Sequence, residues 1–301
     1  MGALYDGYFA DPFVLRDGNT WIAYGTDPTA PAGSTIFEAL ESRDLSVWTS
    51  RGQVLTRPDP SLGSDFWAPE VVRWGDAYWM YYSVGHGIDG HHIRVARADS
   101  PLGPFVDVGL PLTPAGLFAI DAHPFRDEEG DWYLFYARDV LTGKRPGTSI
   151  VVDRLLSPTT LAGTPVSVLA PFADWQIYER DRQIYGSRFD WHTLEGPSVV
   201  FRAGRYWMTY SGGSWEGAGY GVSWASASHP LGPWTPAPEQ APRLLRTAGD
   251  LIGPGHNSLT TAADGSDVIV FHSWDLTRSR RQLHSAAVLF DQDGPRLDAP
   301  R

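Results

Sequence analysis

One short plan recurs five times along this chain, and that recurrence leaves few folds open to it. Each copy has a polar residue, Pro or Asn, a short apolar run, a Gly-bearing turn and an aromatic run. The copies are DPFVLRDGNTWIAYGT from Asp11, APEVVRWGDAYWMYYS from Ala68, HPFRDEEGDWYLFYA from His123, GPSVVFRAGRYWMTYS from Gly196 and HNSLTTAADGSDVIVFHS from His256. Anchored on Pro12, Pro69, Pro124, Pro197 and Asn257, they lie 57, 55, 73 and 60 residues apart. That period is too long for a solenoid and suits four-stranded propeller blades with uneven loops.

Each copy reads as a hairpin. Asp17-Gly18, Gly75-Asp76, Gly130-Asp131, Gly204-Arg205 and Gly265-Ser266 are turn signals between β-prone runs. Outer strands follow: IRVARADSPLGPF from Ile93 and GVSWASASHPLGPW from Gly221 are near copies, and TIFEALESRDLSVW from Thr35 is a looser one. Capped amphipathic helices are missing. The expectation is an all-β chain, one five-bladed β-propeller domain over residues 1–301. The longest interval, between the third and fourth copies, is expected to form a long loop over one face, from Pro171 to Thr193.

Composition narrows function. There are 24 basic and 35 acidic side chains, a net charge of −11, and no cysteine. A thiolate nucleophile, a thiolate metal site and a disulfide framework are excluded. An acidic chain does not offer the basic stripe that nucleic acid requires. No apolar run approaches a membrane span, and Met1–Tyr8 lacks a signal-peptide pattern. The expected partners are therefore neither nucleic acid nor membrane, and the expected location is cytoplasmic, a secreted mature form being the alternative. The 13 tryptophans are an unusual number for which core packing and sugar stacking compete.

Asp11, Glu70, Asp121, Glu195 and His256 open the five copies. If all blades are built alike, these side chains meet at one mouth of the central channel, as an acid/base constellation.

The motifs that carry them, ADPF from Ala10, FWAPEV from Phe66, IDAHPF from Ile120, LEGP from Leu194 and GPGHNS from Gly253, resemble glycoside hydrolase family 43 in order and over nearly the whole chain. The resemblance implies a five-bladed propeller that hydrolyses glycosides with inversion: an arabinofuranosidase, β-xylosidase or arabinanase. It implies that Asp11 is the general base, Glu195 the general acid, and Asp121 the third carboxylate, which orients the acid and keeps its pKa high. Such a division needs base and acid on opposite sides of the sugar.

Among the substrate contacts that the resemblance implies, Trp67 is an aromatic wall of the sugar subsite. His256 is a hydrogen-bonding histidine beneath the substrate. Arg281 is an arginine reaching the subsite, with Arg280 as its rival by one residue. Trp215, Trp175 and Tyr178 are candidates for outer subsites. Glu70 is given a structural or sugar-binding role, Phe66 a core role, and the pair His91-His92 reads as solvated. No cofactor is expected to be required. No direct metal site is expected, although some relatives hold a calcium-centred water cluster near the matching histidine, so a structural calcium with indirect contact to His256 is compatible with the resemblance.

The first-blade loop carries DPTAPAG (27–33) where many xylosidases place an aromatic, and no β-sandwich follows Phe290. The second departure moves the expectation toward exo-acting release of terminal α-L-arabinofuranosyl residues from arabino-oligosaccharides or hemicellulose side chains. A β-D-xylosidase is the runner-up. A non-catalytic sugar-binding propeller is the rival of another class; it need not keep Asp11, Asp121 and Glu195 together. A fructosidase is disfavoured by the missing Arg-Asp-Pro and Glu-Cys motifs.

Overall fold

A computed structural model describes residues 2–28, 33, 35–114, 116–238 and 241–298. Most of the DPTAPAG segment lies outside the described residues. The chain is all-β; among the described residues the helical elements are two 3-10 turns, Pro60–Leu62 and Asp174–Gln176. No helix there is long and apolar enough to cross a membrane. Three four-stranded antiparallel sheets span the first, second and fifth repeats, and a ten-stranded sheet spans the third and fourth. That larger sheet is two antiparallel meanders joined by only two parallel pairs, Gly147 with His192 and Thr148 with Thr193.

Sheet follows sheet in a closed cycle. The opening strands Ala10–Asp17, Asp65–Trp74, Ala119–Arg126, Ser187–Arg202 and Ile252–Thr261 each pack on the next, and the last packs on the first. The second strands explain the aromatic runs. Successive residues of a strand face opposite sides, and here both sides are covered. Met80, Tyr82 and Val84 pack with Tyr24, Ile36 and Phe37 of the first repeat, whereas Tyr81 packs with Leu134 and Val151 of the third. Five apolar clusters therefore fill the spaces between successive repeats, including Trp21 and Leu40 with Val270 and Leu283 across the closure; the cluster between the third and fourth repeats lies within the ten-stranded sheet.

The interval from Pro171 to Thr193 is not a loop. It folds as a hairpin of Ile177–Ile184 against Ser187–Arg202. Tyr185 and Gly186 turn it with φ of 52° and 72°, the left-handed pair that a two-residue hairpin turn requires. The same continuous strand then carries Glu195.

All five opening strands are interrupted at one register. Asp11-Pro12, Ala68-Pro69, Asp121-Ala122, Gly196-Pro197 and His256-Asn257 each oppose a single residue of the second strand, as β-bulges. The third repeat is therefore anchored on Ala122; Pro124 sits within the regular ladder opposite Leu134. The first residue of every bulge has positive φ: 49° at Asp11, 46° at Ala68, 59° at Asp121, 55° at Gly196 and 44° at His256.

A bulge takes its first N–H out of the ladder, and a buried N–H needs another acceptor. The preceding repeat supplies it in four cases out of five. Thr26 Oγ1 accepts from Ala68 (2.9 Å), Ser83 Oγ from Asp121 (3.1 Å), Ser211 Oγ from His256 (2.7 Å) and His272 Nδ1 from Asp11 (3.0 Å). The corresponding residue of the third repeat is Ala137, which has no acceptor. There the Gly196 N–H donates to Asp121 Oδ2 instead, at 2.9 Å. Ser83→Ala leaves the buried Asp121 N–H unpaired. It is expected to lower unfolding stability by about 1–3 kcal/mol, read as a lower urea midpoint at unchanged slope.

Candidate active site

The bulge decides which predicted side chains meet. Asp11, Asp121 and His256 occupy the same bulge position, and Glu195 lies one residue before it in its own repeat. Glu70 lies two residues after the equivalent Ala68, so it does not join them; the expectation of five equivalent polar positions fails there. Its Oε2 instead accepts from His123 Nδ1 at 2.7 Å, while His123 Nε2 accepts from the Val199 N–H at 3.0 Å. Because Nε2 must be bare to accept, Nδ1 carries the proton. Glu70 and His123 thus brace three successive opening strands.

Asp11, Asp121, Glu195, Trp67, His256, Arg281 and Trp215 all line one cavity of about 220 Å³. Its carboxyl groups are in contrasting environments. Burial alone would raise the Asp11 pKa, but the Arg281 guanidinium, 3.0 Å from Oδ1, together with His256 and His272, holds it well below the usual carboxylate range. Burial pushes Glu195 up to about 7, with the Asp11 charge adding to it and the Tyr220 hydroxyl opposing it. Asp121 is also raised, first by burial and then by the charges of Glu195 and Asp11, against the Gly196 N–H. The cavity therefore holds one firmly ionised carboxylate and two carboxyl groups that favour protonation.

The remaining groups support these three. Arg281 is buried and also donates through Nε to the Tyr8 hydroxyl at 2.8 Å, with its guanidinium 4.6 Å from the Trp215 ring centroid. Arg280 points away, donating to the Asp6 carbonyl, so strand alternation turns Arg281 inward. His256 Nδ1 lies 3.5 Å from Asp11 Oδ1 and 3.8 Å from Asp121 Oδ2, and burial lowers its pKa. Trp67 stacks on His91 with ring centroids 3.5 Å apart. His91 and His92 are both buried, contrary to the solvated reading. Phe66 is core, as expected. Trp175 stacks on Tyr210 and covers Gly212; it packs the fourth repeat and lines neither this cavity nor the adjoining one, whereas Tyr178 lines both.

Calcium takes six or more oxygen ligands. Among the described residues no group of three or more His, Asp or Glu side chains is disposed to hold a metal ion. His256 meets Asp11, which is paired with Arg281, and Asp121, which accepts the Gly196 N–H, so these residues do not fit a directly bound calcium.

Residues 4–294 match the model of glycosyl hydrolases family 43. The chain belongs to that family. It is 31% identical over 292 residues to a protein of Aspergillus niger named beta-D-galactofuranosidase xynD, covering 89% of this chain and 75% of that one. It is 28% identical over 286 residues to an extracellular exo-alpha-(1->5)-L-arabinofuranosidase of Streptomyces avermitilis, covering 89% of this chain. It spans 52% of that relative's length. A crystal structure of a thermostable family-43 glycoside hydrolase superimposes with a TM-score of 0.83 at 30% identity, over 97% of this chain and 93% of that one. The chain is thus a family 43 glycoside hydrolase with the β-propeller fold of its structural neighbours.

Sequence reasoning did not find Tyr220, whose hydroxyl donates to Glu195 Oε1 at 2.6 Å. It did not find Tyr8, Ser83 or His272 either. The only trace of Tyr220 in the sequence is a glycine far along the chain, Gly255, where an added Cβ would come within 1.9 Å of the tyrosine ring. A donor to a carboxylate stabilises its charged form. Tyr220→Phe is therefore expected to raise the Glu195 pKa above about 7, measured by carbon-13 carboxyl titration; an unchanged or lower value contradicts this assignment.

Proposed function

We propose that this family 43 chain is an inverting, exo-acting glycosidase that releases terminal α-L-arabinofuranosyl residues, built as one domain of five four-stranded blades. The blade count rests on the five equivalent bulges and the closed cycle of opening strands, with the ten-stranded sheet taken as two blades. The observation that carries the chemistry is the opposite electrostatic treatment of Asp11 and Glu195 in one cavity. Asp11, kept ionised, takes a proton from water as that water attacks the anomeric carbon. Glu195, kept protonated, gives its proton to the departing glycosidic oxygen. Asp121 accepts the N–H of Gly196, the residue after Glu195, and so helps to fix the strand that carries the acid. Trp67 and Trp215 bound the sugar, His256 lies between two of the carboxyl groups, and Arg281 orients Asp11. No cofactor enters these steps.

The arabinofuranosyl assignment is supported by the names of several relatives, the Streptomyces avermitilis enzyme among them. The name of the Aspergillus niger relative favours a second reading, a β-D-galactofuranosidase, and β-D-xylosides complete the panel. Aryl α-L-arabinofuranoside, β-D-galactofuranoside and β-D-xyloside, hydrolysed in parallel, decide among them. Glu195→Ala and Asp11→Ala are each expected to lose at least about 100-fold in activity. A better leaving group rescues Glu195→Ala and not Asp11→Ala, since easier departure does not replace a base. The reverse pattern exchanges their roles, and a retained anomeric configuration by NMR overturns inversion.

The pH profile follows from the same assignment. Activity needs Asp11 ionised and Glu195 protonated. As pH rises through about 7, Glu195 loses its proton and kcat/KM falls. Because the Asp11 pKa is depressed, the acid limb lies below the ordinary carboxylate range. A profile that rises through pH 7 is incompatible with Glu195 as the acid.

A further inference from the structure

Trp215 is half-buried and lines both the catalytic cavity and an adjoining one of about 240 Å³. It sits on the connector between the strands Arg205–Gly212 and Gly221–Ala227. Gly212, Gly213, Gly217 and Gly219 crowd that stretch, and glycine gives a backbone more conformations than any other residue. An aromatic wall carried on such a segment has to be anchored from outside it.

The fifth repeat and the segment leading into it supply the anchors. The carbonyl of Trp215 accepts from Trp274 Nε1 at 2.8 Å, that of Glu216 from Arg278 Nη2, and that of Ala218 from Thr247 Oγ1 at 2.6 Å. The Gly217 carbonyl lies over Gly253, where an added Cβ would come within 2.6 Å of it. Four successive carbonyls are thus seated on the neighbouring repeat. The bonds from Arg278 and Thr247 are exposed, while that from Trp274 is partly buried. Water competes least for a buried bond, so Trp274 is the anchor that counts most.

Trp274 is itself well fixed. It ends the strand Asp267–Trp274 and is paired on both sides, with Ile252 and with Arg281. Its ring stacks on that of Trp215, with centroids 6.0 Å and planes 20° apart. The Arg281 guanidinium lies against both rings, 5.8 Å from the Trp274 centroid and 4.6 Å from that of Trp215. Among the described residues that line the two cavities Trp274 is absent. It reaches the sugar space only through Trp215 and Arg281.

We propose that Trp274 is a positioning residue, whose indole N–H and ring set the angle at which Trp215 meets the sugar. The wall on the fourth repeat is then aimed by the fifth. The proposal rests on the glycosidase reading above, with Trp215 bounding the sugar. A wall of this kind holds the sugar alike before and during bond cleavage, so loosening it raises KM and leaves kcat in place.

The test uses the aryl glycoside that the wild type hydrolyses best. Trp274→Phe keeps a ring beside Arg281 and removes the N–H. Its KM is expected to rise about 3- to 10-fold, the worth of one neutral hydrogen bond, with kcat within about 2-fold of wild type. Trp234→Phe is the control: it loses an equivalent bond, from Nε1 to the Pro230 carbonyl at 2.9 Å, in a space between repeats. It is expected to lower the urea midpoint and leave KM unchanged. Arg278→Met removes a second anchor at an exposed position, where folding is not at stake, and is expected to raise KM in the same direction. The proposal is overturned if KM holds in Trp274→Phe, or if kcat falls there in place of it. An equal rise of KM in Trp234→Phe also overturns it, by making the effect a general loosening. Should Trp274→Phe not fold, an unchanged KM in Arg278→Met overturns it alone. A wild type inactive on every aryl glycoside of the panel instead overturns the glycosidase reading itself, so the two failures are distinct.

Discussion

Everything at the centre of this molecule depends on one buried N–H per repeat that the sheet cannot satisfy. The bulge that creates it also forces positive φ on the residue, a conformation that costs about 1–3 kcal/mol at non-glycine positions. Asp11, Ala68, Asp121 and His256 bear that strain. It persists because each N–H is tied to the neighbouring sheet, from Thr26, Ser83, Ser211 and His272 in turn. The same bonds that link sheet to sheet therefore hold the polar side chains at the axis. Ala137 breaks the pattern once, and Asp121 takes over as acceptor for the strand that carries Glu195. The third carboxylate is thereby locked beside the second.

Once the carboxyl groups share a cavity, their neighbours set their charges. Burial acts on all three in the same direction. What separates them is the Arg281 guanidinium in direct contact with Asp11, whereas the rise of Glu195 is opposed mainly by the Tyr220 hydroxyl and less by Arg281. Arg281 is itself fixed by Tyr8 and packed against Trp215 and Trp274. The aromatic residues thus act on the chemistry through the cation they confine, in addition to lining the space for sugar. Few of the 13 tryptophans serve that end. Others, such as Trp21, Trp48, Trp207 and Trp234, fill the spaces between repeats.

Much of this was legible in the residues. The turn glycines and the β-prone aromatic runs are local signals, and they mark the hairpins correctly. The meeting of the candidate side chains was legible because a repeated plan brings repeated positions together; the seven named on that basis and on the family resemblance line one cavity. The errors share a cause. Glu70 has the right residue type near the right proline, but the register places it two residues past the bulge, against His123. His123-Pro124 imitates the Asp11-Pro12 start while the bulge lies at Asp121-Ala122. The interval that looked like a loop has a two-residue turn at Tyr185-Gly186, masked by charged residues that face solvent on an exposed hairpin.

The sequence by itself determined the strands, their fivefold repetition, the family and the carboxyl groups, because these depend on residue type and spacing along the chain. Only the tertiary structure decided which of Arg280 and Arg281 faces Asp11, that Tyr220 holds Glu195, and that Ala137 leaves an N–H for Asp121. Those are contacts between residues from 25 to 270 positions apart. Their geometry is fixed by the bulge register and the packing of one sheet on the next, and neither is written in any local stretch of the chain.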